Sequence, residues 1–529
     1  MPTLFKDLLA PAARECPDST LFVSVDRDRV ALSYAEVVTQ AELLAQRLRA
    51  AGLEEGDLLA VMAPNSLEYL ISLFAASSLG VGFVPVPPFF RPPEISKLIR
   101  DCQPDLFLLT PHLLPQDALE SVKRIGNLTM ALGVLDSELK VTPVLPRSPM
   151  AGGDPPPRPD DLAMLIYTSG TTGLPKGVIL TNANLLANAE QGRAAFDVFG
   201  MSRSEMVFSG VLPVCHSFGV LAAVSIPVAT RGSSVIAGSF NPKALFAALR
   251  QERVAFLLLV PEMYRAMNLL GSMQRKSGGD GGRLLPDLRA AISGGAPLPQ
   301  VTADRFEAIY DQAIHQGYGL TETSPLLCVG TLTEPSIPGS VGPPVKGVEV
   351  AVVDDTGQPL PPGSDGTLLC SGPNISAGYL NQAELTGERF FGRSIAGGPE
   401  KRWFSTGDRA TIDDNGRVYV SGRQDDLILV NGLNVYPAEI VNALMDFEDC
   451  VDVVVGRIRS GQHGQEPVAL LVPKPGANPT EEAVRAHLME RVAIHKLPAH
   501  IVFVDAIEKT ALGKPKPKDM LLKLGYPAF

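Results

Sequence analysis

Between residues 35 and 145 the chain alternates two hydrophobic periods. SYAEVVTQAELLAQRLRAAG repeats its apolar positions every three or four residues, as a helix with one buried face requires, whereas LLAVMAP, VGFVPVP and LFLLTP are short unbroken apolar runs. Helix-period and strand-run segments in turn predict βα units around a largely parallel sheet. The alternation resumes from about 181 to 320, where NPKALFAALRQERVAFLLLVPEMYRAM reads helix, strand, helix. Between these regions the proline-rich AGGDPPPRPD at 151–160 is a linker or exposed loop, and it leads into the apolar run LAMLIY. From about 340 to 420 the period changes again. VEVAVVDDTGQPLPPGSDGTLLCSG and RVYVSGR read as short strands between Asp/Gly/Pro turns, and the pattern after Arg423 is mixed. The expectation is an α/β multidomain chain. A large N-terminal region, 1–424, holds two α/β subdomains and a β-rich third, and a small α+β C-terminal domain spans 425–529.

Two uncharged stretches, Tyr69 to Phe90 and Met206 to Thr230, have the length of a bilayer span. Gly80, Gly82, Pro85, Pro87 and Pro88 break the first, and Pro213, Gly219 and Pro227 the second, so each is read as a buried helix beside a buried strand. No transmembrane span is expected; peripheral membrane contact stays open. MPTLFKDLLAPAARE lacks the basic and apolar regions of a signal peptide. A net charge of -11 without a long basic run excludes nucleic acid as a partner. Six scattered cysteines with no C-x-x-C pair exclude a disulfide framework and a zinc site, and a cytoplasmic location fits them. At 529 residues the chain is long enough for more than one core, and it reads equally as a monomer or a homodimer.

The strongest local chemistry is the run Tyr167-Thr-Ser-Gly-Thr-Thr-Gly-Leu-Pro-Lys-Gly177, which follows a predicted strand. Glycines Gly170 and Gly173 let backbone N–H groups turn towards an anion. The hydroxyls of Thr168, Ser169, Thr171 and Thr172 add donors, and Lys176 adds a positive charge. The loop suits phosphate, yet G-x-x-x-x-G-K-[ST] cannot be placed on it, so it is not a Walker A loop. Further motifs follow in order: Ser293-Gly-Gly-Ala-Pro297, Gln316-Gly-Tyr-Gly-Leu-Thr-Glu322, Gly372-Pro-Asn-Ile-Ser-Ala-Gly-Tyr379, Ser405-Thr-Gly-Asp408, Gly422-Arg-Gln-Asp425, Asn431-Gly-Leu-Asn-Val-Tyr-Pro-Ala-Glu-Ile440 and Leu512-Gly-Lys514. Together they cover nearly the whole chain. The set resembles the adenylate-forming (AMP-binding) superfamily, and acyl-CoA synthetases such as fatty acid–CoA ligases in particular.

That resemblance implies a reaction in which ATP converts a carboxylic acid to an acyl-adenylate, and a thiol, most often that of coenzyme A, then displaces AMP. It implies phosphate binding by Thr168 to Lys176 and an adenine pocket from Gly294, Gly295, Ala296, Pro297, Gln316, Gly317, Tyr318 and Gly319. Thr321 would donate to the α-phosphate and Glu322 would help bind Mg²⁺, a hard cation that prefers oxygen ligands beside nucleotide phosphates. Asp408 would accept the ribose hydroxyls, and Arg423 would reach the ribose or α-phosphate. Lys514 would offset the repulsion between an anionic carboxylate and an anionic triphosphate. The resemblance further implies a mobile C-terminal domain with a hinge at Asp425, and a loop at Gly432 beside which the acceptor thiol enters.

The substrate is marked by Leu212-Pro-Val-Cys-His-Ser-Phe-Gly219, in the place of the family's acyl-pocket gate. His216 stands there where amino-acid-activating members commonly carry an aspartate, which disfavours an amino acid. H-S-F-G and ILVNGLNVYPAEI look most like fatty acyl-CoA synthetases, so a medium- or long-chain fatty acid is the expected substrate; PPFFRPPEI keeps an aryl acid open. Pro-Lys-Pro-Lys after Lys514 and Val441 in place of a usual glutamate depart from the family pattern. They leave room for an acyl carrier protein as the alternative acceptor. A catalytically silent nucleotide-binding module is disfavoured because Lys514, Glu322 and Asp408 are all present. A hydrolase is excluded by the lack of G-x-S-x-G and H-E-x-x-H.

Overall fold

A computed structural model describes the chain except for residues 1, 27–28, 116–117, 124, 126–129, 147–158, 170–174, 277–282, 396–397, 431–432, 461–463 and 510–514. Two compact units result. The first comprises Met1–Ala296, Arg305–Val350 and Cys370–Phe404, and the second Pro297–Asp304, Ala351–Leu369 and Ser405–Phe529.

Two eight-stranded sheets frame the first unit. In spatial order one sheet runs Val141–Leu145, Ala131–Leu135, Leu106–Leu109, Leu58–Met62, Gly82–Val86, Leu162–Ser169, Pro175–Thr181, Gly378–Tyr379. Its middle pairings are parallel and both edges are antiparallel. The other sheet runs Val30–Ser33, Thr20–Ser24, Ser233–Ile236, Val207–Gly210, Phe256–Leu259, Ala290–Ser293, Ile314–Tyr318, Cys328–Val329, again parallel except at its ends. Every residue of Leu58–Met62, Gly82–Val86 and Phe256–Leu259 is buried. That explains why these strands read as continuous apolar runs: helices cover both faces of a parallel sheet.

The α/β architecture with a β-rich part and an α+β end agrees with expectation. One difference is that Thr20–Ser24 and Val30–Ser33, which precede the first βα pattern, join the second sheet through the parallel pairing of Phe22 with Ser234. Helix boundaries follow local chemistry. Tyr34–Ala50 starts at a capping box between Ser33 and Glu36, and Leu67–Leu79 starts at Ser66 and stops at Gly80, whose φ of 72° is left-handed. Both uncharged stretches resolve as a helix beside a strand: Leu67–Leu79 before Gly82–Val86, and Val207–Gly210 before the helical turns from Ser217 to Thr230. Among the described residues no helix is long and apolar enough to cross a membrane. All six cysteines are buried as thiols.

In the second unit the later part of Lys401–Ile412 pairs antiparallel with Val418–Arg423. A five-stranded sheet follows, built on the long hairpin Cys450–Ser460 and Gly464–Pro473, with Ile428–Val430, Leu433–Val435 and His500–Phe503. Its two faces are sorted by a period of two. Val453, Val455, Ala469 and Leu471 enter the core that includes Ile440 and Leu488, whereas Val454, Ile458, Val468 and Leu470 pack with Met520 and Leu521.

Candidate active site

The carboxyl ends of parallel strands are where open α/β sheets bind ligands, above all where the strand order reverses. In the second sheet the order reverses at Val207–Gly210, since the next strand in sequence lies on one side of it and Phe256–Leu259 on the other. Three predicted elements emerge at this end. The loop Leu212–Gly219 follows Val207–Gly210, the glycine turn follows Ala290–Ser293, and Gln316–Glu322 spans the end of Ile314–Tyr318 and the short helical turn Thr321–Thr323. Parallel register sets Ser293 beside Gln316.

Close backbone approaches hold these turns together. A Cβ at Gly319 would lie 1.6 Å from the Pro325 carbonyl oxygen, and one at Gly294 would lie 3.0 Å from the Phe218 ring and 3.3 Å from the Gly317 oxygen. Gly295 has φ +80°, and Ala296 and Pro297 follow it in an exposed turn. Gln316 donates its side-chain amide to the Ser340 carbonyl at 3.4 Å, and Tyr318 is half-buried. The Thr321 hydroxyl accepts from Ser217 at 3.4 Å, which joins the gate loop to the predicted α-phosphate donor. His216, next to Ser217, is half-buried and stands at the N-terminal boundary of helix Ser217–Val220, without a side-chain capping hydrogen bond.

Sequence reasoning missed what fixes the gate loop. Asn65, only 6% exposed, donates to the carbonyls of Gly210 at 3.3 Å and Leu212 at 2.8 Å, and accepts from the Val214 N–H at 2.8 Å. The hydroxyl of Tyr69 donates to the Val214 carbonyl at 3.0 Å. Gly219 completes the loop, since a Cβ there would lie 2.0 Å from the Pro213 oxygen. Neither Asn65 nor Tyr69 belongs to a motif with a chemical signature, so no sequence signal pointed to them.

The hairpin of Leu162–Ser169 and Pro175–Thr181 flanks the loop predicted to bind phosphate, with Thr168 opposite Lys176 and Ser169 opposite Pro175. Gly170, Thr171, Thr172 and Gly173 lie outside the described residues. Lys176 places its Nζ 5.7 Å from the centroid of the Tyr379 ring, and the Tyr379 hydroxyl donates to Glu322 Oε1 at 2.8 Å. Lys176 and Glu322, predicted from separate motifs, thus both contact one tyrosine. Tyr379 stood within a recognised motif but had been given no role. Burial, then the neighbouring Glu322 carboxylate, pushes its hydroxyl pKa well above the usual tyrosine value, so it stays a donor at neutral pH.

In the second unit Asp408 and Arg423 face each other in the antiparallel pairing, with Arg423 Nε 3.4 Å from Asp408 Oδ1. The carboxylate is 7% exposed and the guanidinium 40%. Thr406 orders the turn by accepting from the Asp408 N–H at 3.0 Å while donating to the Leu368 carbonyl at 2.9 Å, and Gly407 has φ 74°. Asp425 lies in the exposed turn Gln424–Asp426 directly after Arg423. Gly432 and Lys514 fall outside the described residues.

A family model of the AMP-binding enzyme matches residues 9–380, and one of the AMP-binding enzyme C-terminal domain matches 439–514. The chain belongs to the AMP-binding enzyme family. Among the relatives of this AMP-binding enzyme, a feruloyl-CoA synthase from an Amycolatopsis species is 33% identical over 95% of each chain. An indoleacetate–CoA ligase from Aromatoleum aromaticum is 31% identical, also over 95% of each chain. The crystal structure of ATP-bound MatB from Rhodopseudomonas palustris superposes with a TM-score of 0.81 at 26% identity, covering 98% of this chain and 99% of that one. The AMP-binding enzyme described here is an AMP-forming acid–thiol ligase.

Proposed function

We propose that this enzyme activates an aryl or arylalkyl carboxylic acid. The acid attacks the α-phosphorus of ATP to give an acyl-adenylate and pyrophosphate; the thiol of coenzyme A then attacks the acyl carbon, AMP leaves, and the thiol proton passes to solvent. The observation that carries the aromatic assignment is the likeness to feruloyl- and indoleacetate-activating relatives over 95% of the chain. The fatty-acid reading rests on the wording of H-S-F-G and ILVNGLNVYPAEI and on long-chain-fatty-acid–CoA ligases that are less alike, at 27% and 29% identity.

The residue roles belong to the same proposal. Thr168 to Lys176 hold phosphate, Gly294 to Pro297 with Gln316 to Gly319 hold adenine, Thr321 donates to the α-phosphate, and Asp408 with Arg423 holds ribose. His216 borders the acid, Lys514 from the 425–529 domain assists adenylation, Asp425 is the hinge and Gly432 flanks the thiol. Glu322 fits a magnesium ion that arrives with the nucleotide. Tyr379 occupies Oε1, and Oε2 has no hydrogen-bond partner among the described residues. Among those residues no cluster of three acidic, His or Cys side chains could hold a metal unaided. One carboxylate completed by phosphates and water is the arrangement magnesium commonly takes, and its charge would offset that of the triphosphate.

The test is acid-dependent AMP release with ferulate, indoleacetate, decanoate, palmitate and amino acids, with and without coenzyme A. Thioester from an aromatic acid at the highest kcat/KM is expected. A preference for decanoate or palmitate would restore the fatty-acid reading, and adenylate without thioester would redirect the second step to a carrier-protein acceptor.

A further inference from the structure

We propose that Tyr379 is a positioning residue that keeps the phosphate-loop lysine and the metal-binding carboxylate apart and aims the carboxylate at the metal. The proposal rests on the assignment of Lys176 and Glu322 to the nucleotide site.

Tyr379 is held from several sides. Its backbone pairs with Val178 across the antiparallel bridge that also joins Gly378 to Ile179, and its N–H donates to the Thr386 hydroxyl at 3.0 Å. The next residue, Leu380, donates its N–H to the Gly177 carbonyl at 2.8 Å. The ring packs edge-on against Phe390 at 5.7 Å between centroids, and only 5% of the residue is exposed. Glu322 is fixed independently, since the Ser376 N–H donates to its carbonyl at 2.8 Å. The 2.8 Å hydrogen bond between Tyr379 and Glu322 therefore joins two anchored groups and confines the carboxylate to one orientation.

The placement of Lys176 adds a second consequence. Its ammonium sits on the ring side of Tyr379 while the hydroxyl end meets Glu322, and no ion pair joins Lys176 to Glu322 among the described residues. An ammonium and a carboxylate that touch the same side chain attract each other and would pair if neither had another contact. Tyr379 gives each a contact of its own. It offers its electron-rich face to the ammonium and its O–H to the carboxylate, so both charges are satisfied without being cancelled. Lys176 remains available to phosphate and Glu322 to the cation that accompanies it.

Calorimetric titration of Mn²⁺·ATP, and of ATP in EDTA, into wild type, Tyr379→Phe and Glu322→Gln tests this. Phenylalanine keeps the ring and its packing and removes only the hydroxyl. Loss of a hydrogen bond to a charged group should weaken Mn²⁺·ATP binding by about tenfold or more while metal-free ATP binding and the melting temperature hold. Glu322→Gln should weaken Mn²⁺·ATP at least as much. Wild-type affinity in Tyr379→Phe alongside weakened Glu322→Gln would overturn the positioning role. Equal loss with and without metal would do the same, because a general packing defect would then explain it. Wild-type Mn²⁺·ATP affinity in Glu322→Gln would instead overturn the metal assignment beneath the proposal.

Discussion

Replacing Asn65 by alanine should separate the acid site from the nucleotide site. The side chain makes three hydrogen bonds to the backbone at Gly210, Leu212 and Val214, and it is 6% exposed, so water cannot replace it freely. The orphaned Val214 N–H should cost about 1–3 kcal/mol, and each carbonyl that loses a donor about 0.5–1.5 kcal/mol, giving roughly 2–6 kcal/mol in all. Most of this falls on the loop rather than on global stability, because only the segment before His216, Ser217 and Phe218 loses its anchor. The Tyr69 contact to the Val214 carbonyl survives and limits the disorder. Pyrophosphate exchange with acid and ATP varied separately should show the KM for the acid raised about tenfold or more, a shift of at least 1.4 kcal/mol, with the KM for ATP changed less than about twofold. Asn65→Asp keeps an acceptor for the Val214 N–H but faces two carbonyl oxygens with a carboxylate, and should be no better. A parallel rise in both KM values, or an unchanged acid KM, would refute the reasoning.

Gly319→Ala should abolish ATP-dependent exchange, because its Cβ would lie 1.6 Å from a backbone oxygen; Gly387→Ala, in the helix Ala383–Arg389 with nothing within 4 Å, should raise stability by about 0.5–1 kcal/mol. Both are read by exchange assay and thermal melting. Asp408→Ala should weaken ATP binding about tenfold or more by calorimetry, as expected for lost hydrogen bonds to a charged acceptor; unchanged affinity would remove it from the ribose site. His315, 4% exposed, has its pKa lowered from 6.5 by burial. The unfolded chain then binds the proton more readily, so stability falls as pH drops through the unfolded value of 6.5. The difference in melting temperature between pH 7.5 and pH 5.5 should shrink in His315→Gln, and an unchanged difference would exclude His315 as the source. Lys514→Ala should stop adenylation while sparing thioester formation from supplied acyl-AMP; equal loss of both half-reactions would sink its assignment to the first.

Much of this protein was legible in its sequence because much of it is locally determined. A strand covered on both faces must be apolar throughout, so Leu58–Met62 and Phe256–Leu259 announce themselves, and Ser33 with Glu36 marks a helix start by hydrogen bonds that span three residues. The glycine- and hydroxyl-rich runs and the turn at Asp408 could be singled out as candidates for a related reason: each is a short run whose residue types lie within a few positions of one another. Pairing between distant segments was not legible. Nothing local says that Thr20–Ser24 lies beside Ser233–Ile236, or that Gly378–Tyr379 closes the edge beside Val178 and Ile179, because backbone hydrogen bonds carry no record of which strand supplies their partner. The same limit hid Tyr379 and Asn65. An aromatic ring or an amide acquires its role from what the fold brings within 3 to 6 Å of it. Here that meant Lys176 and Glu322 for one and the gate-loop backbone for the other, contacts that only long-range packing could decide.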